Sequence, residues 1–434
     1  MFYIRNCWSI SHQRKKLLAP LYQSGLTVAM ASVNFRHVMV LKVSEIREIT
    51  NRLELLVVFT VMLSLLPTFA VAEAPPGIVI DHSNDLSGVY IGCPSIAILA
   101  SGKYVASHSW FGPKTKNNET VIFASTDKGE HWKKLCNLNG QWWSTLFNLD
   151  KTLYILGVDK NYGNVVIRCS TDDGQSWTSP ADDTSGLLLH GKYHGAPVPV
   201  VIHNNRIWRA FEQHTGRWGI GYQPFVISAP VGADLLRANS WTNSNRLVWG
   251  NWKPYGGWLE GNVVKAPNGE LLNILRVHEP KRGGKAAIVE ISADGKTLNF
   301  DSKEGFIDFQ GGCKKFTIRY DEKTKTYWSL TNWEQDKDRK YALNAERQRN
   351  TLALISSENL RDWNVRYVVL YHRDVLHVGY QYADWQFEGD DIVAVSRTAF
   401  GNAEDCHNAN YLTFHRIMDF RNRTINDVPL SSQF

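Results

Sequence analysis

From residue 78 onward the chain is made of short runs of β-branched, aromatic and other apolar residues, each broken by a polar turn. The runs come in pairs. The first pair is Ser95 to Leu99, a turn over Ala100 to Lys103, then Tyr104 to His108. The second runs from Ser144 to Leu149, turns at Asp150-Lys151 and returns through Thr152 to Gly157. The third joins Pro197 to Ile202 and Arg206 to Phe211, and the fourth Gly261 to Lys265 and Glu270 to Arg276. The fifth joins Phe316 to Tyr320 and Thr326 to Thr331, and the sixth Tyr382 to Phe387 and Asp391 to Arg397. Most units add a third run, such as Ala286 to Ser292 or Thr351 to Ser356. Helical periodicity is scarce, with room for short turns only at Ala233 to Asn239 and Asn344 to Arg349.

Two turns repeat one another. Ser125-Thr126-Asp127-Lys128-Gly129-Glu130-His131-Trp132 and Ser170-Thr171-Asp172-Asp173-Gly174-Gln175-Ser176-Trp177 both read S-T-D-x-G-x-x-W. Ser and Asp side chains bond nearby backbone amides, Gly takes a positive φ, and Trp folds back over the turn. Ala293-Asp294-Gly295 and Glu358 to Trp363 read as worn copies. A repeated turn at regular spacing implies a repeat architecture. The pattern predicts an all-β fold, a six-bladed β-propeller of four-stranded antiparallel blades, with Ile78 to Asp81 closing the ring on the last blade. A two-sheet sandwich is the alternative.

The first 72 residues change the charge picture. Leu55 to Leu66 is apolar apart from Thr60 and Ser64, Arg47 and Arg52 precede it, and Ala70-Val71-Ala72 follows it. That is the pattern of a signal peptide with an h-region over 55–66, cleaved after Ala72. The expectation is a secreted or periplasmic protein with one domain over 73–434 and no stable membrane insertion after cleavage. The leader holds eight Lys/Arg and three Asp/Glu, so it supplies +5 of the formal +6. The remainder is nearly neutral, so nothing in it points to nucleic acid, and no nucleic-acid partner is expected. Its cysteines, Cys93, Cys136, Cys169, Cys313 and Cys406, are odd in number and lack metal-like spacing. No cofactor and no metal site is expected, and one or two disulfides remain open.

The S-x-D-x-G-x-x-W turn resembles the Asp-box of sialidases and related propellers, and other segments resemble a sialidase region by region. Leu259-Glu260-Gly261-Asn262, the Pro267-Asn268-Gly269-Glu270 turn and Asn273-Ile274-Leu275-Arg276 are similar to that family's Glu-bearing and Arg-bearing strands. Arg349-Asn350-Thr351-Leu352 sits where the family places another arginine, and Tyr382-Ala383-Asp384-Trp385 resembles its segment with the nucleophilic tyrosine. The resemblance implies a glycoside hydrolase with Tyr382 as nucleophile, Glu260 as its base, and Arg276 and Arg349 as substrate clamps. Tyr380 competes with Tyr382 for the first role.

These residue types suit one another. A sialic acid carries a carboxylate on its anomeric carbon, which repels a carboxylate nucleophile but tolerates a neutral phenol. A free tyrosine has a pKa near ~10 and needs a base and nearby positive charge to act as a nucleophile. Arginines bind carboxylates by paired, charge-assisted hydrogen bonds.

The first unit departs from the family. Gly92-Cys93-Pro94 stands where the family has Arg-Ile-Pro, and Trp110 to Glu119 contains no aspartate where the family has its general acid. His108, at the end of that unit's second run, is the candidate substitute, since imidazole transfers protons near neutral pH. His194 and Trp110 are candidate substrate-binding residues, with His407, Trp142 and Trp143 as further possibilities. The expected partner is a glycan or oligosaccharide with an acidic sugar, either a sialic acid or a uronic acid. A lyase acting beside a uronate carboxylate, with His108 or Tyr382 as base, and a glycan-binding propeller without turnover are the alternatives.

Overall fold

The computed structural model describes residues 74–84 and 86–433, so the expected leader lies outside the described residues. The strands form five antiparallel sheets. The first is β2 (Tyr90–Ile98), β3 (Tyr104–Phe111), β4 (Glu119–Ser125) and β5 (Lys133–Asn139). An eight-stranded sheet follows. It runs from β6 (Trp142–Leu149) through β7 (Thr152–Val158), β8 (Gly163–Ser170), β9 (Leu187–His194) and β11 (Arg206–His214) to β12 (Tyr222–Pro230) and β13 (Thr242–Asn243). The short β10 (Val201–His203) also pairs with β11. The third sheet is β14 (Trp258–Lys265), β15 (Leu271–Val277) and β16 (Lys285–Ile291), with β17 (Leu298–Asn299) and β18 (Phe306–Asp308) both on β16. The fourth is β19 (Thr317–Asp321), β20 (Thr326–Asn332), β21 (Thr351–Ser357) and β22 (Asn364–Tyr371). The last is β23 (Gly379–Glu388), β24 (Asp391–Ala399) and β25 (Tyr411–Ile417), completed by β1 (Ile78–His82).

Three of these sheets are four-stranded antiparallel blades, and together the five build an all-β propeller. The expected six units appear as five sheets because the second and third units are continuous: His194 and Tyr193 on β9 pair with Glu212 and Gln213 on β11. As expected, β1 pairs with β25, so strands from both ends of the domain share one sheet. The third unit's first run forms only the three residues of β10. The two expected short turns are 3-10 segments, Ala238–Ser240 and Ala345–Arg347.

The repeated turns link the third strand to the fourth. Ser125 Oγ accepts from the Gly129 amide at 2.9 Å, Asp127 accepts from the His131 amide, and Trp132 Nε1 donates to the Gly129 carbonyl. Ser170, Asp172, Gly174 and Trp177 repeat this wiring. Both glycines have φ near +90°, where a side chain is disfavoured. The turn at Ser357 to Trp363 keeps the wiring, although Leu360 takes the positive-φ place.

Apolar faces of adjacent sheets pack on each other. Ile91, Ile96, Tyr104, Val121 and Phe123 of the first sheet meet Val393, Val395, Leu412 and Phe414 of the last. Each fully buried side chain of this size contributes roughly 1.5–3 kcal/mol. The five cysteines among the described residues are all free.

Four first strands carry a bulge at the same place. Their registers shift at Gly92/Ser95, Trp142/Thr145, Leu259/Asn262 and Gln381/Asp384. Inside each bulge one residue has positive φ: Cys93 (42°), Trp143 (44°), Glu260 (58°) and Tyr382 (55°). Left-handed backbone at a non-glycine residue costs roughly 1–3 kcal/mol and re-aims the side chain. Two residues later, a polar side chain joins neighbouring first strands. Asp384 accepts from Ser95 Oγ at 2.7 Å, Ser95 Oγ accepts from the Leu146 amide, and Thr145 Oγ1 donates to the Val198 carbonyl. Asn262 Oδ1 accepts from the Ile318 amide, and Thr317 Oγ1 donates to the Ala383 carbonyl. The bulge residues therefore stand on first strands bonded in series, from β14 through β19, β23 and β2 to β6.

Candidate active site

Two of the bulge residues meet. The Tyr382 hydroxyl donates to Glu260 Oε1 at 2.9 Å, although the two residues are 122 positions apart. Arg276 Nη1 donates to Glu260 Oε2 at 3.0 Å and lies 3.4 Å from the Tyr382 oxygen. Arg276 reaches them because it pairs with Leu259, the residue just before the Glu260 bulge, and its Nε is fixed by the Cys313 carbonyl at 2.8 Å. Tyr380 belongs instead to the apolar cluster of Trp328, Leu352 and Trp385, so Tyr382 is the tyrosine at the site.

Burial alone would raise the Glu260 carboxyl, but Arg276, His194 and the hydrogen bonds from Arg276 and Tyr382 hold it below its ordinary value. Burial first, then the Glu260 charge, push the Tyr382 phenol well above its ordinary value, against Arg276 and Arg349. The site at rest is an ionised carboxylate, a neutral phenol and a charged guanidinium in one hydrogen-bonded triangle.

More cations surround it. The Arg349 guanidinium lies 5.8 Å from the Tyr382 ring centre, and its Nη1 donates to Gln381 Oε1 at 2.6 Å. Arg397 lies 4.8 Å from the same ring. Lys315 Nζ donates to the Ala383 carbonyl at 2.8 Å, and burial brings its pKa down to about 8. Glu346 opposes this charge, with Oε1 at 3.8 Å from Arg276 Nη2 and 2.6 Å from His278 Nδ1. No group of side chains that could hold a metal ion occurs among the described residues.

The other expected site residues lie elsewhere. His108, the expected proton-transfer group, is fully buried between the first and last sheets. Its Nε2 pairs with Asp81 on β1 at 2.8 Å, and its ring packs on Trp110 and Phe123. It touches neither Tyr382 nor Glu260, because its position on β3 turns it toward the sheet interface. Trp110 packs edge-on against His108 at 4.5 Å rather than lining the Tyr382 site. His194 is paired through Nδ1 with Glu212 Oε2 at 3.0 Å, and Glu212 Oε1 accepts from the Gly261 amide. It is thus bonded to the residue next to Glu260 by way of Glu212, and it lies near enough for its charge to act on the Glu260 carboxylate. Trp143 lies edge-on over His194 and stacks on Trp142. His407 presents its backbone carbonyl to Arg397 and Gln381, and burial with three nearby arginines depresses its imidazole pKa.

Sequence reasoning missed Arg397, Glu212, Glu346 and Lys315. A signal existed for Arg397: Gly389, like Gly269, opens a turn whose following strand carries an arginine near its end.

No family model matches the chain, and no curated protein matches it either. Solved structures do match. An α-L-arabinanase of Penicillium chrysogenum complexed with arabinobiose is 13% identical, with a TM-score of 0.52, covering 81% of this chain and 99% of that one. An α-L-arabinofuranosidase of Fusarium graminearum is 12% identical, with a TM-score of 0.53, over 80% and 98% of the two chains. The sialidase of Trypanosoma rangeli is 15% identical, with a TM-score of 0.52, covering 80% of this chain but 58% of that one. At these identities the likeness is one of fold.

Proposed function

We propose that the chain is an exported glycoside hydrolase that cleaves a terminal acidic sugar from a glycan, built on six blades. The blade count takes the eight-stranded sheet as two blades joined at His194–Glu212. The observation that carries the functional reading is the Tyr382–Glu260 hydrogen bond of 2.9 Å with Arg276 bonded to both. The Tyr382 oxygen attacks the anomeric carbon while its proton passes to Glu260 Oε1. Arg276 and Arg349 then offset the charge developing on the phenolate and hold the sugar carboxylate. Because Glu260 is held ionised and the phenol neutral, proton transfer accompanies attack rather than preceding it. The glycosidic C–O bond breaks as the Tyr382 bond forms, and the aglycone oxygen takes its proton from solvent. Water then opens the tyrosyl–sugar bond, giving up one proton to solvent while Glu260 returns its proton to the Tyr382 oxygen.

The test is a panel of sialosides and uronate-capped oligosaccharides, read for released sugar and for the absorbance of an unsaturated uronate. Tyr382→Phe is expected to abolish release while retaining ligand binding. Equal release by wild type and Tyr382→Phe would sink the assignment. The appearance of an unsaturated uronate would move the chemistry to elimination, and no release by wild type on any substrate would leave the binding module.

A further inference from the structure

Two loops at the edge of the site carry their charges unevenly. Residues 278–284 join β15 to β16, and residues 333–350 join β20 to β21. They are bonded to one another: the Ala345 amide donates to the Pro280 carbonyl at 2.9 Å, and Arg339 Nη2 to the Lys281 carbonyl at 2.9 Å. Their inner end is the Tyr382 site itself, since Glu346 Oε1 lies 3.8 Å from Arg276 Nη2 and 2.6 Å from His278 Nδ1. The other carboxylates of these loops are mostly spent on holding them. Glu279 accepts from the amides of Arg282 and Gly283 and closes its own turn. Glu334 holds the buried Lys314 ammonium and the Gly311 amide. Asp338 accepts from Asn350 Nδ2 and from the Tyr371 hydroxyl. Asp336 alone among them is exposed.

The cations face outward. Lys281, Arg282, Lys337 and Lys340 are exposed, Arg339 is half-buried, and none of the five pairs with a carboxylate among the described residues. The other loop arginines are engaged: Arg347 faces Asp405 at 3.4 Å, and Arg349 lies at the site. Both flanks continue the trend. On one side Trp218 packs edge-on against His278 at 4.4 Å, and its neighbour Arg217 is exposed in a loop, 215–221, that contains no carboxylate. On the other, Arg373 is exposed while Asp374 is taken by His377 at 3.0 Å. The chain after the leader is nearly neutral, so this excess belongs to the rim and not to the molecule at large. Like charges gathered beside a cleft raise the local concentration of anions there.

We propose that these loops form a docking rim for a polyanionic glycan, whose carboxylates or sulfates lie on residues beyond the sugar held over Tyr382. This rests on the glycan reading of the site. A membrane fits less well: Tyr341 and Leu343 are exposed there, but Lys340 lies 4.8 Å over the Tyr341 ring, and two side chains make no apolar face. The test is binding of the full chain to polygalacturonate, dextran sulfate and neutral dextran at low and high salt, with monomeric galacturonate alongside. Wild type is expected to bind one of the polyanions about 10-fold or more tightly than dextran or the monomer, and to lose that preference at high salt. The preferred polyanion tells carboxylate from sulfate. An exposed ion pair is worth up to about fivefold in affinity, so Lys281→Gln, Arg282→Gln, Lys337→Gln and Lys340→Gln combined are expected to weaken polyanion binding by about 10-fold or more. The same change at Lys133, Lys151, Lys296 and Lys303, exposed lysines outside these loops, is expected to weaken it little. Equal losses in the two variants, or equal wild-type affinity for polyanion and dextran, overturn the rim. Capture by phosphatidylserine vesicles without a polyanion preference also overturns it, and makes the loops a membrane contact. The hydrolase reading fails separately: equal sugar release by wild type and Tyr382→Phe sinks it, while a selective loss of polyanion binding in the loop variant keeps the rim.

Discussion

Replacing Glu260 with glutamine removes one charge from the centre of the site and keeps its shape. Arg276 and Glu260 are both almost fully buried and 3.0 Å apart. Breaking a buried pair on one side typically costs about 3–5 kcal/mol, because the remaining charge is left uncompensated. Here Glu346, 3.8 Å from Arg276 Nη2, retains part of the compensation, which places the expected loss near the lower end, about 3 kcal/mol. The assay is urea unfolding followed by tryptophan fluorescence for Glu260→Gln, Arg276→Met and the double variant. The double variant is expected to be more stable than the sum of the singles by about 2 kcal/mol, the signature of a direct pair. The pH dependence has a definite sign. The folded Glu260 value lies below its ordinary one, so its stabilisation is present above roughly pH 4.3 and is lost as pH falls through the folded value. Glu260→Gln is expected to lack that acid limb. If the reading of Glu260 as base holds, kcat falls by about 100-fold or more. A coupling energy under about 0.5 kcal/mol, with the acid limb unchanged, would refute the claim that these two groups form the electrostatic centre.

Three further outcomes follow from the geometry. His108→Ala is expected to destabilise the fold by about 1–3 kcal/mol through loss of the buried Asp81 bond, while changing kcat only a few-fold; a collapse of kcat in a fully folded variant would return His108 to the reaction. With no acid placed beside the leaving group, activated aryl glycosides should be cleaved far faster than alkyl-linked glycans by comparative kcat/KM, and equal rates on both would reveal a proton donor. Asp172 in its turn has a pKa held down to about 2, first by the Ser176 hydroxyl and amide, so its contribution exists above about pH 4 and fades as pH falls towards 2. Asp172→Asn should then show a smaller loss in Tm between pH 5 and pH 3 than wild type, modest because the turn is solvent-screened.

Much of the fold was legible because β-structure writes itself locally. Ser125 to Trp132 and Ser170 to Trp177 contain every atom that their turn bonds use, so the pattern and the structure agree bond for bond. The inner runs were placed within a few residues of the observed strands, apart from the third, where Pro197 and Pro199 supply no amide hydrogen and only Val201–His203 pairs. The join of the second and third units was not legible, since it depends on two pairings between β9 and β11 rather than on any local signal. At the site, Glu260, Arg276, Arg349 and Tyr382 were readable by resemblance, and they do converge. His108 was misplaced for a simple reason. Closeness in sequence to Gly92 and Cys93 gives no information about which face of β3 it occupies, and alternate residues of a strand point to opposite faces.

The amino-acid sequence by itself determined the strands, their turns, the closing role of Ile78 to Asp81 and the residue types capable of the chemistry, because those follow from period-two patterning and from bonds between near neighbours. Tertiary structure alone decided which of those residues meet. The bulges aim Glu260 and Tyr382 at each other from strands more than a hundred residues apart. Register sets Arg397 over the same ring as Arg349. Charge and hydrogen bonding act through space, and only the folded arrangement of strands sets those distances.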